Sequence, residues 1–151
     1  MANTQAMCTQ AHVDMMNGKH AMGTSVTRGT TAADTYKAAL YLATATVNSS
    51  TTVYSATGEV SGTNYTAGGV TVTTATAPTL TNGVGHFTPS ASIVFTNVTL
   101  STAFDAFLLY NSTQGNIALS VHTFGSQTVT AGDFTITMPT DNDTTGLIRV
   151  G

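Results

Sequence analysis

The side chains available for chemistry in this 151-residue chain are few: four His, seven Asp plus Glu, and one Cys. A zinc site needs three or four ligands brought together, and the chain contains no His-Glu-x-x-His pair. His12 and His20 stand eight residues apart and would need a third ligand, while His86 and His122 are isolated. Asp141-Asn142-Asp143-Thr144 is the one acidic cluster. It could offer three oxygens to Ca²⁺, but the Gly and distal Glu of an EF-hand are missing, and an Asx-rich turn before the last strand is the expected role. Glu59 is the only Glu, so the two facing carboxylates of a glycosidase are not expected. No Gly-x-Ser-x-Gly elbow occurs, and Gly125-Ser126 lacks the strand–turn–helix setting. A Ser-His-Asp triad assembled by the fold stays open, because Ser is plentiful. Cys8 has no partner in the sequence and reads as an inert thiol. Gly58, Gly62, Gly68 and Gly69 punctuate strands and open no helix, so no phosphate loop is formed. No metal, cofactor or catalytic residue is expected, and the chain does not read as an enzyme.

The elements that would have to position any site are set by an unusual composition. Only 7% of residues are charged, where about 25% is ordinary. Thr makes up roughly a fifth of the chain and apolar residues 41%. β-Branched Thr and Val stiffen χ1 and fit a pleated surface, so this composition favours strands. The net charge is −3 with only four Lys plus Arg. Nucleic-acid binding needs a basic patch and is not expected; neither is binding to a membrane through a polybasic face. No run of about 20 apolar residues is present, and residues 1–20 lack the apolar core of a secretory signal. The sequons at Asn48, Asn64, Asn97, Asn111 and Asn142 read as chance in a Thr-rich chain. Tyr36, Tyr41, Tyr54 and Tyr65 could form sugar-binding platforms, but burial of the rings is the expected role.

Residues 1–34 hold five of the six Met and three Gly. A short helix is expected near residues 10–17, followed by an extended linker, and we read 1–34 as an N-terminal arm. From Tyr36 the pattern alternates with period two, as side chains do on a pleated strand. Strands are expected at 37–47, 51–54, 58–61, 69–76, 86–87, 92–99, 104–111, 116–124, 127–130, 133–138 and 146–150. Turns are expected at Asn48-Ser-Ser, Tyr65–Gly69, Asn82-Gly83 and Ser112–Gly115. Residues 104–111 are apolar on both faces, as in a central strand. The fold class is all-β: an antiparallel β-sandwich over residues 35–151, jelly-roll-like or immunoglobulin-like, with the helix-bearing arm ahead of it.

Several stretches resemble one protein family. They are Lys37-Ala-Ala-Leu-Tyr41, Leu109-Tyr-Asn-Ser-Thr113, Phe134-Thr-Ile-Thr-Met-Pro139, Leu147-Ile-Arg149 and, most specifically, Tyr54-Ser-Ala-Thr-Gly-Glu-Val-Ser-Gly-Thr-Asn-Tyr-Thr-Ala-Gly-Gly69. Together with Met7-Cys8 and His12 to His20, they resemble a small structural protein encoded among the head genes of tailed phages. In place of a regular amphipathic helix, residues 12–34 are Met- and Thr-rich. The resemblance implies a capsid cement or decoration protein on the virion exterior, made in the bacterial cytoplasm. It implies the major capsid protein and further copies of the chain, as dimer or trimer, for partners, and no catalytic residues. The expected capsid contacts lie in the arm: Met7, His12, Val13, Met16, His20, Met22, Val26 and Arg28. A tail, neck or head-fibre component and a host-glycan-binding module are the alternatives.

Overall fold

The computed structural model describes residues 2–16, 18–23 and 32–151. Nearly all of it is β. In chain order the elements are β1 (Ala6–Met7), α1 (Thr9–Met16), β2 (Tyr36–Leu42), β3 (Val70–Val72), β4 (Thr79–Thr81), β5 (Val84–Phe87), β6 (Ile93–Asn111), β7 (Ile117–Ile136) and β8 (Ile148–Val150). Two antiparallel sheets form, ordered β1-β7-β6-β2-β3 and β4-β5-β8. The expected sandwich and its short helix are therefore present.

One hairpin dominates the fold. β6 and β7 pair from Ile93↔Ile136 to Asn111↔Ile117. The turn between them ends in Gly115 and Asn116, with φ of 70° and 60°. Five strands were expected over this region, and two are found. The Thr-rich breaks do not end pairing; they become bulges, with register shifts between Phe95 and Ala106. A bulge absorbs an extra residue and bends the strand while the ladder continues. Asn97 and Ala131, both at positive φ, mark the bend. Beyond it the hairpin folds back, so that Phe134 packs edge-on against Phe104 at 4.9 Å and lies 5.4 Å from Phe124. Ten residues of straight strand would separate Phe124 from Phe134 by about 33 Å. Both strands stay within the five-stranded sheet, which therefore bends sharply on itself, as strands do at the corners of packed sheets.

Residues 104–111 lie between β7 and β2, and all but Asp105 are buried. Two expected strands, 51–54 and 58–61, are reduced to single bridges, Val53↔Ile117 and Tyr41↔Glu59. Asn82-Gly83 makes the β4–β5 hairpin, with φ of 49° and 81°, the pattern of a type I′ turn.

The described part of the expected arm does not stand apart from the domain. β1 pairs with β7 at Ala6↔Val121 and Met7↔Ser120. The Cys8 amide donates to the Leu119 carbonyl at 2.9 Å, and Cys8 and Ala11 are fully buried. Asn3 ties this segment to Asp105 and Val47. Removing residues 1–34 would therefore take a sheet strand and two core side chains with it.

Candidate functional site

The most specific stretch of the sequence, Tyr54–Gly69, folds around its single carboxylate. Glu59 is held against β2 by Val60 N–H donating to Leu40 O and Leu42 N–H to Gly58 O. Its side chain is buried and accepts three hydrogen bonds: Tyr54 Oη at 2.6 Å, Tyr65 Oη at 2.7 Å and the Gly68 amide at 2.8 Å. Tyr110 on β6 stacks on Tyr54 at 4.8 Å and donates to Gly68 O at 2.7 Å. Tyr41 on β2 donates to Ser55 O, and Tyr65 stacks on Phe95 at 5.8 Å. Gly69 sits at φ 71°, where a Cβ would run into the Ala38 carbonyl; only Gly lets the loop approach β2 so closely.

Burial, reinforced by the Glu59 charge, holds the pKa of the Tyr54 and Tyr65 phenols well above the ordinary range and raises that of Tyr110. Burial likewise pushes Tyr41 up to about 12. These phenols stay protonated at neutral pH and donate to Glu59 and to backbone carbonyls. A buried charge satisfied by three donors is a fastening, not an acid–base centre. Tyr36 and Tyr41 are each 1% exposed and offer no platform to a sugar. A groove of about 430 Å³ beside Tyr41 is lined by Ala45, Val47 and Val53 together with Thr44, Thr46, Thr51, Ser55 and Thr57.

Comparison with family models, with curated proteins and with solved structures finds no match.

The expected contact residues fall into three groups. Val26 and Arg28 lie outside the described residues, as do the side chains of His12, Val13 and Met16. Met7 and Met22 are partly buried and pack against the core. His20 is buried; its ring stacks on Tyr36 at 6.0 Å and its Nδ1 lies 3.3 Å from Tyr36 Oη. Nearby, the Asn111 amide donates to Asp34 Oδ2 at 2.7 Å and to Lys19 O at 3.0 Å. The structure thus brings His20 into a polar knot that fastens the N-terminal segment to β2 and β6. Met7 and Met22 are thus half-buried against the core, and His20 is buried within it.

Two polar arrangements escaped the sequence. His86 Nδ1 lies 2.9 Å from Asp141 Oδ1, and its Nε2 lies 3.0 Å from Thr81 Oγ1. The row has the order hydroxyl–imidazole–carboxylate. It follows from alternation, which puts Thr79, Thr81, His86 and Arg149 on one face of the small sheet. A small cleft of about 130 Å³ is lined by Met22, Pro78, Gly85, Phe87, Ile148 and Val150 together with His86 itself. The row pins the 140–146 loop to the small sheet. Asp143 completes the pin by accepting from Asn82 Nδ2 at 2.7 Å. Asn142 Oδ1 accepts from the Thr144 and Thr145 amides, the Asx turn that was expected. Asp141 and Asp143 thus have different partners, and among the described residues no three His, Cys, Asp or Glu side chains gather as a metal site.

Ser120 and His122, on one face of β7, form the second arrangement: Ser120 Oγ lies 2.8 Å from His122 Nε2. Burial lowers His122 to about 4, which leaves it neutral at pH 7 and too weak to act as an efficient general base. Its ring stacks on Phe107 at 4.8 Å. Cys8, with burial pushing its thiol up to about 11, carries almost no thiolate at neutral pH. No described helix is long and apolar enough to cross a membrane.

Proposed function

We propose that this chain is a structural component of a tailed-phage particle, a cement or decoration protein bound to the outside of the major capsid shell, with no catalytic role. The observation that carries this reading is the fate of the carboxylates. All seven acidic side chains are engaged within the chain: Asp14 by Lys19, Asp34 by Asn111, Glu59 by Tyr54 and Tyr65, Asp105 by Asn3, Asp133 by the Asn97 amide, Asp141 by His86 and Asp143 by Asn82. A chain that uses its charge to fasten loops, and is otherwise poor in charge and rich in Thr, suits permanent burial against neighbours. Interface cores are depleted in charge. Repetition over a shell makes modest single contacts sufficient. The resemblance of Tyr54–Gly69 to phage head proteins supports the same assignment.

The alternative within this class is a neck, tail or head-fibre component, and copy number separates the two. Mass-spectrometric quantification of purified particles should give one copy per capsid subunit, or one per few. A number near that of the portal would move the protein to the neck or tail. A glycan array tests the groove beside Tyr41, and this reading expects no binding.

A further inference from the structure

Among the described residues, the outer edge of β7 is largely unpaired. β6 pairs along its length, whereas on its other side β1 covers only Ser120 and Val121. No described strand lies beside residues 123–136 there. Because the hairpin folds back on itself, Phe124 and Phe134, ten residues apart on β7, come to within 5.4 Å at this edge. Phe124, Phe134 and Ile136 are only partly buried, and with Gln127 and Thr135 they line an apolar cleft of about 240 Å³. These rings belong to the core cluster around Phe104, so the core itself reaches the surface here.

The unpaired N–H and C=O groups of an edge are matched by another strand. Soluble proteins block such edges with Lys, Pro or inward-pointing charge. Residues 123–136 contain no Lys, Arg or Pro, and Asp133 is their only charge. Its carboxylate accepts from the Asn97 amide of the same chain at 2.7 Å. The edge thus offers a charged peptide nothing to pair with, and a second copy of itself little to repel it. An antiparallel pair of identical strands is self-complementary about a two-fold axis, and strand addition combines main-chain bonds with side-chain pockets.

We propose that two copies of this chain associate through β7, with residues 132–136 pairing antiparallel across a two-fold axis and the two Phe124–Phe134–Ile136 clefts closing on each other. This inference does not depend on the particle assignment. Sedimentation velocity of the full chain tests it. The wild type should sediment at twice its 15.5 kDa mass. Thr135→Glu with Thr137→Glu, both at exposed positions, puts a carboxylate opposite the partner copy's Asp133 in this register and should weaken the dimer by roughly tenfold or more while leaving the circular dichroism spectrum unchanged. Leu80→Lys, at the exposed apolar site on β4, should leave the dimer intact. A wild type that remains a monomer at its highest soluble concentration overturns the proposal. So does a dimer that survives the β7 pair of substitutions, or one that Leu80→Lys dissolves.

Discussion

The two flanks of the sandwich are finished in opposite ways. On the β2 flank the exposed edge is covered: β3 pairs with residues 36–38, the 58–60 segment bonds to residues 40–42, and Glu59 with its tyrosines fixes the loop in place. On the β7 flank no described strand pairs with residues 123–136, and three apolar side chains stand half in solvent. Covering an edge within one chain requires a long loop and a satisfied buried charge. Leaving it open defers its pairing to another molecule. The comparison separates what the monomer needs to fold from what an assembly would use.

The largest effect should come from breaking the covered flank at its closest approach. Gly69→Ala places a methyl group against the Ala38 carbonyl at φ 71°, and should cost more than about 4 kcal/mol. Denaturant unfolding will read this as a lost or barely measurable transition. Glu59→Gln keeps the shape but swaps one acceptor oxygen for an amide donor facing the phenols and the Gly68 N–H. A loss of about 3 kcal/mol is expected in the same assay.

Next, pH should distinguish the flanks. The His122 folded-state value, about 4, lies below the ordinary 6.5, so its neutral form belongs to the folded state. Its contribution is complete above pH 6.5 and is lost as pH falls towards 4. The full shift corresponds to about 3 kcal/mol. Solvent reaching the half-buried ring reduces this to about 2. The tyrosines have the opposite sign. Their raised values favour the neutral phenol in the folded state, so stability is complete below pH 10 and is lost as pH rises through about 12 for Tyr41. Unfolding curves from pH 5 to 12 should therefore fall at both ends. His122→Gln should flatten the stretch from pH 6.5 to 5 without touching the alkaline limb, and Tyr65→Phe should lower the whole curve by removing a donor to Glu59 and shrink the alkaline limb, leaving the acid limb's shape unchanged. Loss of both limbs in either variant would show that the flanks are not independent. The smallest effect belongs to the open flank: Phe134→Leu removes part of a half-exposed ring and should cost about 1 kcal/mol by thermal unfolding of the monomer.

Much of this division was legible in the sequence, for local reasons. Residues 104–111 are apolar on both faces, and Asn82-Gly83 and Ser112–Gly115 carry turn chemistry, so the central strand and both hairpins could be placed. The back-folding of β6 and β7 could not, because it depends on bulges at Asn97 and Ala131 that accept positive φ without a Gly to signal them. The fastening of Cys8 and Ala11 beneath the sheet was equally hidden, since small residues give little amphipathic pattern. His86 and Asp141 are 55 residues apart, and only the closed β5–β8 pairing brings their neighbourhoods together. Glu59 was visible as the sole Glu, but its three donors come from residues whose hydroxyls and amides carry no spacing rule.

The proposed role is tested most directly by calorimetry of capsid shells from particles lacking this protein, before and after adding it back. The account predicts saturable binding and a higher shell disassembly temperature. Binding without a shift, or no binding to the shell, would contradict it.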